Sequence, residues 1–128
     1  MLDKRKFYIN GQWVEPSKKN DFDVINPSDE TVCAVISLGS QEDTNAAVTS
    51  ARAALPSWAN SSKEDRVTLL ERLYSIYQRR MDEMAEVISM EMGAPIDFAK
   101  RSQAPSGTEA IEDFLIQLKK FEFEKQLD

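Results

Sequence analysis

The 128-residue sequence contains no histidine and a single cysteine, and each of these features excludes some kinds of catalytic or structural site. The absence of histidine removes the commonest general base, proton shuttle and metal ligand together. A single cysteine excludes a disulfide bond within the chain, which fits a reducing compartment. We therefore expect a cytoplasmic protein whose catalytic repertoire is poor.

Glycine and long apolar runs are also scarce. The four glycines, Gly11, Gly39, Gly93 and Gly107, lie far apart, so the sequence forms neither a phosphate-binding loop nor a dinucleotide-binding fingerprint. No stretch approaches the ~18 consecutive apolar residues that span a bilayer. The N-terminus lacks the apolar region of a secretory signal. We expect no membrane association and no signal peptide.

The charge balance argues against nucleic acid as a partner. The formal net charge is −6, whereas a surface that binds phosphates needs clustered lysine and arginine. The densest basic run, residues 4–6, predicts a solubilising flank at a mobile terminus. The apolar fraction of 41% and the charged fraction of 30% are ordinary for a globular protein, and the length permits a modest core.

Two β-hairpins are predicted in the first 39 residues. Residues 7–9 and 13–14 are aromatic and β-branched, and they flank Asn10-Gly11, a pair that tolerates the positive φ angles of a tight turn. A second pair of strands, residues 22–25 and 32–36, is joined by a turn that contains Pro27.

Residues 40–121 are predicted to be helical. Ser40 is the expected N-cap of a first helix that Pro56 ends. The second helix begins after Ser62, where Asp65 completes a sequence that resembles a capping box. The third starts near residue 82 and stops at Gly93, which supplies the left-handed residue of a C-terminal cap.

The last helical region, about residues 96–121, is predicted to break near Pro105 and Gly107. Residues 122–128 alternate in part between apolar and acidic side chains, as at the start of a truncated strand. The sequence therefore predicts three parts: a β-hairpin region at 1–39, a helical region at 40–121 and the beginning of a strand at 122–128.

Few side chains are candidates for chemistry. Cys33 is the one candidate nucleophile, but it lies mid-strand without a neighbouring cation, so a buried structural thiol is the favoured interpretation. Paired carboxylates occupy adjacent helical positions, which point ~100° apart and do not converge on one atom. Trp13 and Trp58 are interpreted as core or interface residues rather than ligand platforms. We predict no catalytic and no cofactor-binding residue in this chain.

An ordered series of segments resembles the N-terminal portion of the aldehyde dehydrogenase superfamily. The series consists of residues 7–14, 24–30, 43–54, 56–58, 66–73 and 90–95, and residues 102–107 resemble a bacterial branch. The resemblance implies an α/β fold in which two N-terminal hairpins and a helical segment form an incomplete part of a Rossmann-like cofactor domain. The three predicted parts would together make one partial N-terminal domain.

The resemblance also implies a function for a longer parent protein. The superfamily oxidises aldehydes to carboxylic acids with NAD or NADP, using a cysteine nucleophile, an oxyanion hole and a glutamate that activates water. These elements follow later in the family, and Cys33 does not match the nucleophile. The implied role is therefore a scaffold fragment, inactive alone, whose partner is the remainder of the dehydrogenase chain in a homo-oligomeric parent.

Two further expectations accompany this interpretation. If the remainder of a parent normally covers this chain, apolar surface should be exposed, which would give dye binding or marginal stability. The alternative is a stand-alone, non-catalytic interaction or regulatory module that docks through the same apolar helix faces.

The resemblance implies one possible metal site. Many family members hold a structural monovalent cation, and the matching positions here are the main-chain carbonyl of Ile25 and the carboxylate of Glu91. Oxygen ligands suit a hard cation. The family site also draws on residues outside this chain. For this chain alone, the favoured interpretation of Glu91 is an exposed carboxylate at a helix end.

Overall fold

The computed structural model describes residues 1–124 and 126, in which strands come first and helices follow. The strands of this part are β1 Leu2–Lys4, β2 Phe7–Ile9, β3 Gln12–Val14, β4 Asp21–Ile25 and β5 Val32–Ser37. The helices are α1 Gln41–Ala59, α2 Lys63–Arg79, α3 Met81–Met92, α4 Ile96–Phe98 and α5 Ala104–Lys120, with a π-helical turn at Ala99–Gln103. The expected α/β class is confirmed.

The chain forms two compact units, which do not coincide with the strand and helix regions. The first unit contains Met1–Asn60 and Met90–Gly93. The second contains Ser61–Ser89 and the residues from Ala94 onward. The three-part division at 39 and 121 stays a prediction. The strand predicted at 122–128 lies partly outside the described part, which omits residues 125, 127 and 128. The described residues of this segment, 122–124 and 126, form no strand.

The first predicted hairpin is confirmed. Strands β2 and β3 are antiparallel, with Phe7 opposite Val14. Asn10 and Gly11 connect them with φ angles of 53° and 75°. Two successive positive φ angles match the twist of the strands, which is why this residue pair favours a two-residue turn.

The three-stranded sheet has the order β1-β5-β4. The antiparallel pairing of β4 with β5 confirms the second hairpin. Strand β1, which was not predicted, pairs in parallel with β5. Arg5 follows this strand and forms ion pairs with Asp3 and, at 3.3 Å, with Asp21. The prediction of a mobile terminus is therefore wrong, whereas the solubilising role of residues 4–6 stays a prediction. Three exposed residues carry no alternating pattern that could have revealed the strand.

Helix α1 confirms its predicted start but not its predicted end. Ser40 and Asp43 form a reciprocal capping box, in which each side chain accepts a hydrogen bond from the other's backbone N–H. Pro56 lies inside the helix, which continues to Ala59. Proline has a helical φ, but it removes one hydrogen bond and its ring crowds the carbonyl four residues earlier, so Pro56 weakens the last turn without ending the helix. Both the backbone N–H and the side-chain amide of Asn60 donate to the carbonyl of Pro56 and close the last turn.

The later helix boundaries follow their predicted signals with one exception. Ser62 and Asp65 form the predicted capping box of α2, and α3 ends before Gly93, whose φ is 70°. The last helical region was predicted to break near Pro105 and Gly107. The structure places the break earlier, at a π-helical turn that comprises residues 99–103. Pro105 and Gly107 both lie in the first turn of α5, where the missing N–H of a proline costs little.

Small side chains form most of the buried core. The buried apolar residues are Ala34 and Val35 in the first unit and Ala85, Ala99, Ala104, Leu115 and Leu118 in the second. Many large apolar side chains are exposed instead, among them Leu69 at 52% on α2 and Phe114 at 59% on α5. The expected exposure of apolar surface is confirmed, whereas dye binding stays a prediction. In the described part, no helix combines the length and hydropathy needed to cross a bilayer.

Candidate functional site

The turn between β4 and β5 is fixed by its own hydrogen bonds. The backbone N–H of Asn26 donates to the carbonyl of Thr31, and that of Glu30 donates to the carbonyl of Asn26, both at 2.9 Å. The side-chain oxygen of Asn26 accepts a bond of 3.0 Å from the N–H of Ser28. This local bonding explains why an Asn-Pro-Ser sequence forms a turn here. The turn directly follows Ile25, one of the two candidate cation ligands.

Asp29 serves the turn itself. Its carboxylate accepts hydrogen bonds from the N–H of Thr31 at 3.0 Å and from the hydroxyl of the same residue at 2.8 Å. These two bonds lower the pKa of Asp29, because they favour the charged form. Its negative charge is thus explained by turn geometry, without a ligand.

A β-bulge accounts for the position of Cys33. Val24 lies opposite Ala34 and Ile25 lies opposite Val32, so Cys33 is the extra residue of the longer strand. The half-buried thiol donates to the carbonyl of Val24 at 3.3 Å. Among the described residues, the hydrogen bonds of the thiol include none to a charged side chain. The thiol therefore has a structural explanation in the bulge that also sets the direction of Ile25.

The C-terminal end of α3 lies against the same turn. A Cβ atom built on Gly93 would be 2.9 Å from Cγ of Pro27 and 3.6 Å from Oγ of Ser28. Glu91 is exposed and precedes Gly93 by two residues, as Ile25 precedes Pro27 by two. The contact between Gly93 and Pro27 thus brings together the two segments that carry the candidate cation ligands. The residue pattern alone did not indicate this contact.

The oxygen atoms present suit a hard cation in kind but not in number. A hard cation takes about six or more oxygen ligands in proteins. This unit offers the carbonyl of Ile25 and the carboxylate of Glu91, and no group of three or more His, Cys, Asp or Glu side chains in the described part could hold a metal. The described residues also do not fit a dinucleotide, because their glycines form no phosphate-binding loop.

The carboxylate of Asp43 in the first unit is held by backbone hydrogen bonds. It accepts hydrogen bonds of 2.8 Å from the backbone N–H groups of Ser17 and Ser40. These bonds lower its pKa to about 2, so it is charged at neutral pH. The hydroxyls of Ser17 and Ser40 lie 2.8 Å apart. The carboxylate therefore fastens the loop before β4 to the start of α1, and this structural role explains its perturbed pKa.

Trp13 lies beside a cleft of about 610 Å³ near the N-terminus, and most of the residues that line this cleft are charged. Ion pairs line the cleft, namely Arg5 and Lys19 with Asp21, each at 3.3 Å, and Lys6 with Glu15 at 2.9 Å. Mutual neutralisation leaves no strong field of one sign in which an ionic ligand would be favoured. Trp13 is 68% exposed and Trp58 is 49% exposed, so their assignment to the core is wrong and an interface role stays a prediction.

Comparison with known protein families and sequences gives a consistent result. The model of the aldehyde dehydrogenase family matches residues 13–127. The chain is 40% identical over 128 residues to a 3-succinoylsemialdehyde-pyridine dehydrogenase from a Pseudomonas species. That match covers 99% of this chain and 27% of the relative.

Solved structures agree with the sequence comparison. An aldehyde dehydrogenase from Bartonella henselae superposes with a TM-score of 0.98 and 46% identity, over 100% of this chain and 27% of that one. Aldehyde dehydrogenase C from Pseudomonas syringae, solved as a mutant with NAD⁺ and octanal, gives a TM-score of 0.94 and 35% identity over 97% of this chain and 26% of its own. The chain thus spans about a quarter of the length of these relatives.

Proposed function

This chain belongs to the aldehyde dehydrogenase family, and from that premise we propose that it is the N-terminal scaffold of a nicotinamide-dependent enzyme that oxidises an aldehyde to a carboxylic acid. The observation that carries the proposal is the coverage: the whole chain superposes on a dehydrogenase, yet it accounts for 27% of that enzyme. The chain supplies folded support, and the reaction takes place on the rest of the parent.

The cofactor of the parent is proposed to be NAD or NADP. Support for NAD comes from relatives solved with it, including the Pseudomonas syringae enzyme. The cofactor would contribute hydride acceptance. No step of the reaction is assigned to the 128 residues themselves. Their part is to position elements through rigid turns and capped helices, such as the β4–β5 turn and the capping box at Ser40.

We further propose a homo-oligomeric parent located in the cytoplasm. The single, half-buried Cys33 supports a reducing compartment, since no disulfide can form within the chain. The exposed apolar side chains of α2 and α5 support an interface with the remainder of the parent or with another copy.

An activity assay tests the main proposal. We expect the purified 128-residue chain to show no aldehyde-dependent reduction of NAD or NADP, because the described residues hold no nucleotide site. We expect the product of the extended reading frame to show it, with absorbance of the reduced nicotinamide as the measurement. Turnover by the short chain, or an extended product without turnover on any simple aldehyde, would contradict the proposal.

A natural stop codon after residue 128 together with a stable, soluble short chain would favour the regulatory-module alternative.

The cation site at Ile25 and Glu91 is proposed for the parent, where additional ligands are available. We expect Na⁺ or K⁺ to raise the Tm of the parent and Glu91→Gln to abolish that rise, because the carboxylate charge is lost. Glu86→Gln is the matched control, since Glu86 is also exposed on α3. A cation-dependent Tm that persists in Glu91→Gln, or disappears equally in Glu86→Gln, would refute the site.

A further inference from the structure

A groove between α2 and α3, in the second unit, is lined mainly by apolar side chains. Its volume is about 290 Å³. Leu73 and Ile76 contribute to its lining from α2, and Met84 and Val87 contribute from α3. Leu73 is 46% exposed, Met84 is 39% exposed and Val87 is 47% exposed, although all three are large and apolar. Apolar surface that is continuous in this way marks a place where another surface binds.

The groove follows from the helical spacing of its residues. Leu69, Leu73 and Ile76 are separated by steps of four and three, so they share one face of α2. Met84 and Val87 are three residues apart and share one face of α3. An apolar stripe on a helix is the face that packs against another element. Both stripes are therefore suited to burial, and within the described residues both remain largely exposed.

The polar groups of the groove are paired within the chain. Arg80 and Glu83 form an ion pair of 2.9 Å, and the hydroxyl of Tyr77 donates to the carbonyl of Ala104 at 3.0 Å. Small-molecule sites are usually larger, about 300–1,000 Å³, and use a few polar groups to orient the ligand. The groove therefore favours apolar side chains of a protein over a small polar ligand.

The structural comparison indicates where such side chains come from. The Bartonella henselae enzyme superposes on the whole of this chain with a TM-score of 0.98, yet this chain accounts for 27% of that enzyme. The same arrangement of α2 and α3 thus occurs in an enzyme most of whose polypeptide lies outside the matched part. A second copy of this chain is a poorer candidate. In a symmetric dimer each surface meets itself, and two grooves that face each other leave both unfilled.

We propose that apolar side chains from the part of the parent outside these 128 residues fill the groove between α2 and α3. The inference rests on the proposed function, since it requires that parent. It adds the position of one contact and the chemistry of its occupant. Leu73, Met84 and Val87 are then buried in the parent, and the groove becomes part of its internal core.

Cysteine labelling in the extended protein tests the inference. Val87→Cys places a thiol in the groove, and Glu86→Cys places one at the neighbouring exposed position of α3. In the extended protein we expect a maleimide to label the Val87→Cys variant about tenfold or more slowly than the Glu86→Cys variant, because a covered thiol reacts only when its surroundings open. In the 128-residue chain the two rates should be similar, since both side chains are exposed. Peptide mass spectrometry measures the rate at the introduced cysteine and separates it from other cysteines of the parent.

A matched pair on α2 provides a second measurement. Leu73→Cys lies in the groove and Arg72→Cys lies at the exposed position beside it, and the same contrast is expected. Equal rates within each pair in the extended protein would overturn the inference. Slow labelling of the groove positions in the 128-residue chain would also overturn it, and a dependence on chain concentration would assign the groove to a second copy. Turnover of the wild-type extended protein, measured separately, tests the proposed function alone.

Discussion

Gly93→Ala is expected to lower the free energy of unfolding of the chain by about 2–4 kcal/mol. Two independent costs combine. The backbone of Gly93 has a φ of 70°, which is unfavourable for a residue with a Cβ atom. The new methyl group would also lie 2.9 Å from Cγ of Pro27, a ring atom in a turn that its own hydrogen bonds hold closed. Urea denaturation of the 128-residue chain measures the change.

Gly11→Ala separates the two costs. Gly11 has a φ of 75°, and a Cβ built on it meets no atom within 4 Å, so its replacement should cost only the backbone strain of about 1–2 kcal/mol. Pro27→Ala removes the clashing ring, and in that background the cost of Gly93→Ala should approach the cost of Gly11→Ala. Equal destabilisation by Gly93→Ala and Gly11→Ala in the wild-type background would show that the contact with Pro27 contributes nothing.

The two segments that meet at Gly93 and Pro27 could each be predicted from the sequence, whereas the contact between them could not. The sequence identified the end of α3 and the Asn-Pro-Ser turn separately, because each has a local signal in glycine or proline. Their meeting depends on tertiary packing across more than sixty residues, for which the pattern contains no signal. Ile25 and Glu91 were identified as candidate ligands of one monovalent cation from the family resemblance alone, and the binding of that cation stays a proposal.

The fold was predictable where a few neighbouring residues decide the structure. The turn at Asn10-Gly11 and the capping box at Ser62 depend on backbone sterics and on hydrogen bonds within four residues, so local rules sufficed. Strand β1 was missed because it pairs with β5, whose paired residues lie 32 positions further along the sequence. The break in the last helical region was predicted too late in the sequence, because Pro105 affects the hydrogen bonds of the preceding turn and not those that follow it.

Gly107→Ala is expected to destabilise the chain by about 1–3 kcal/mol, although alanine ordinarily favours a helix by about 1 kcal/mol over glycine. The reason is the close approach of α2. A Cβ atom on Gly107 would lie 2.5 Å from Oη and 2.6 Å from Cζ of Tyr77. The ring must move, and its hydrogen bond to the carbonyl of Ala104 would then be lost. Urea denaturation of the variant measures the net effect.

A shorter side chain at position 77 should reverse the sign of this substitution. Tyr77→Leu removes the hydroxyl and the far end of the ring, and by itself it should destabilise the chain through the lost hydrogen bond. In that background Gly107→Ala should stabilise the chain by about 1 kcal/mol, because only the helix preference remains. A double-mutant cycle with these two substitutions isolates the coupling. If Gly107→Ala already stabilises the wild-type chain, α2 and α5 do not approach each other as closely as the structure indicates.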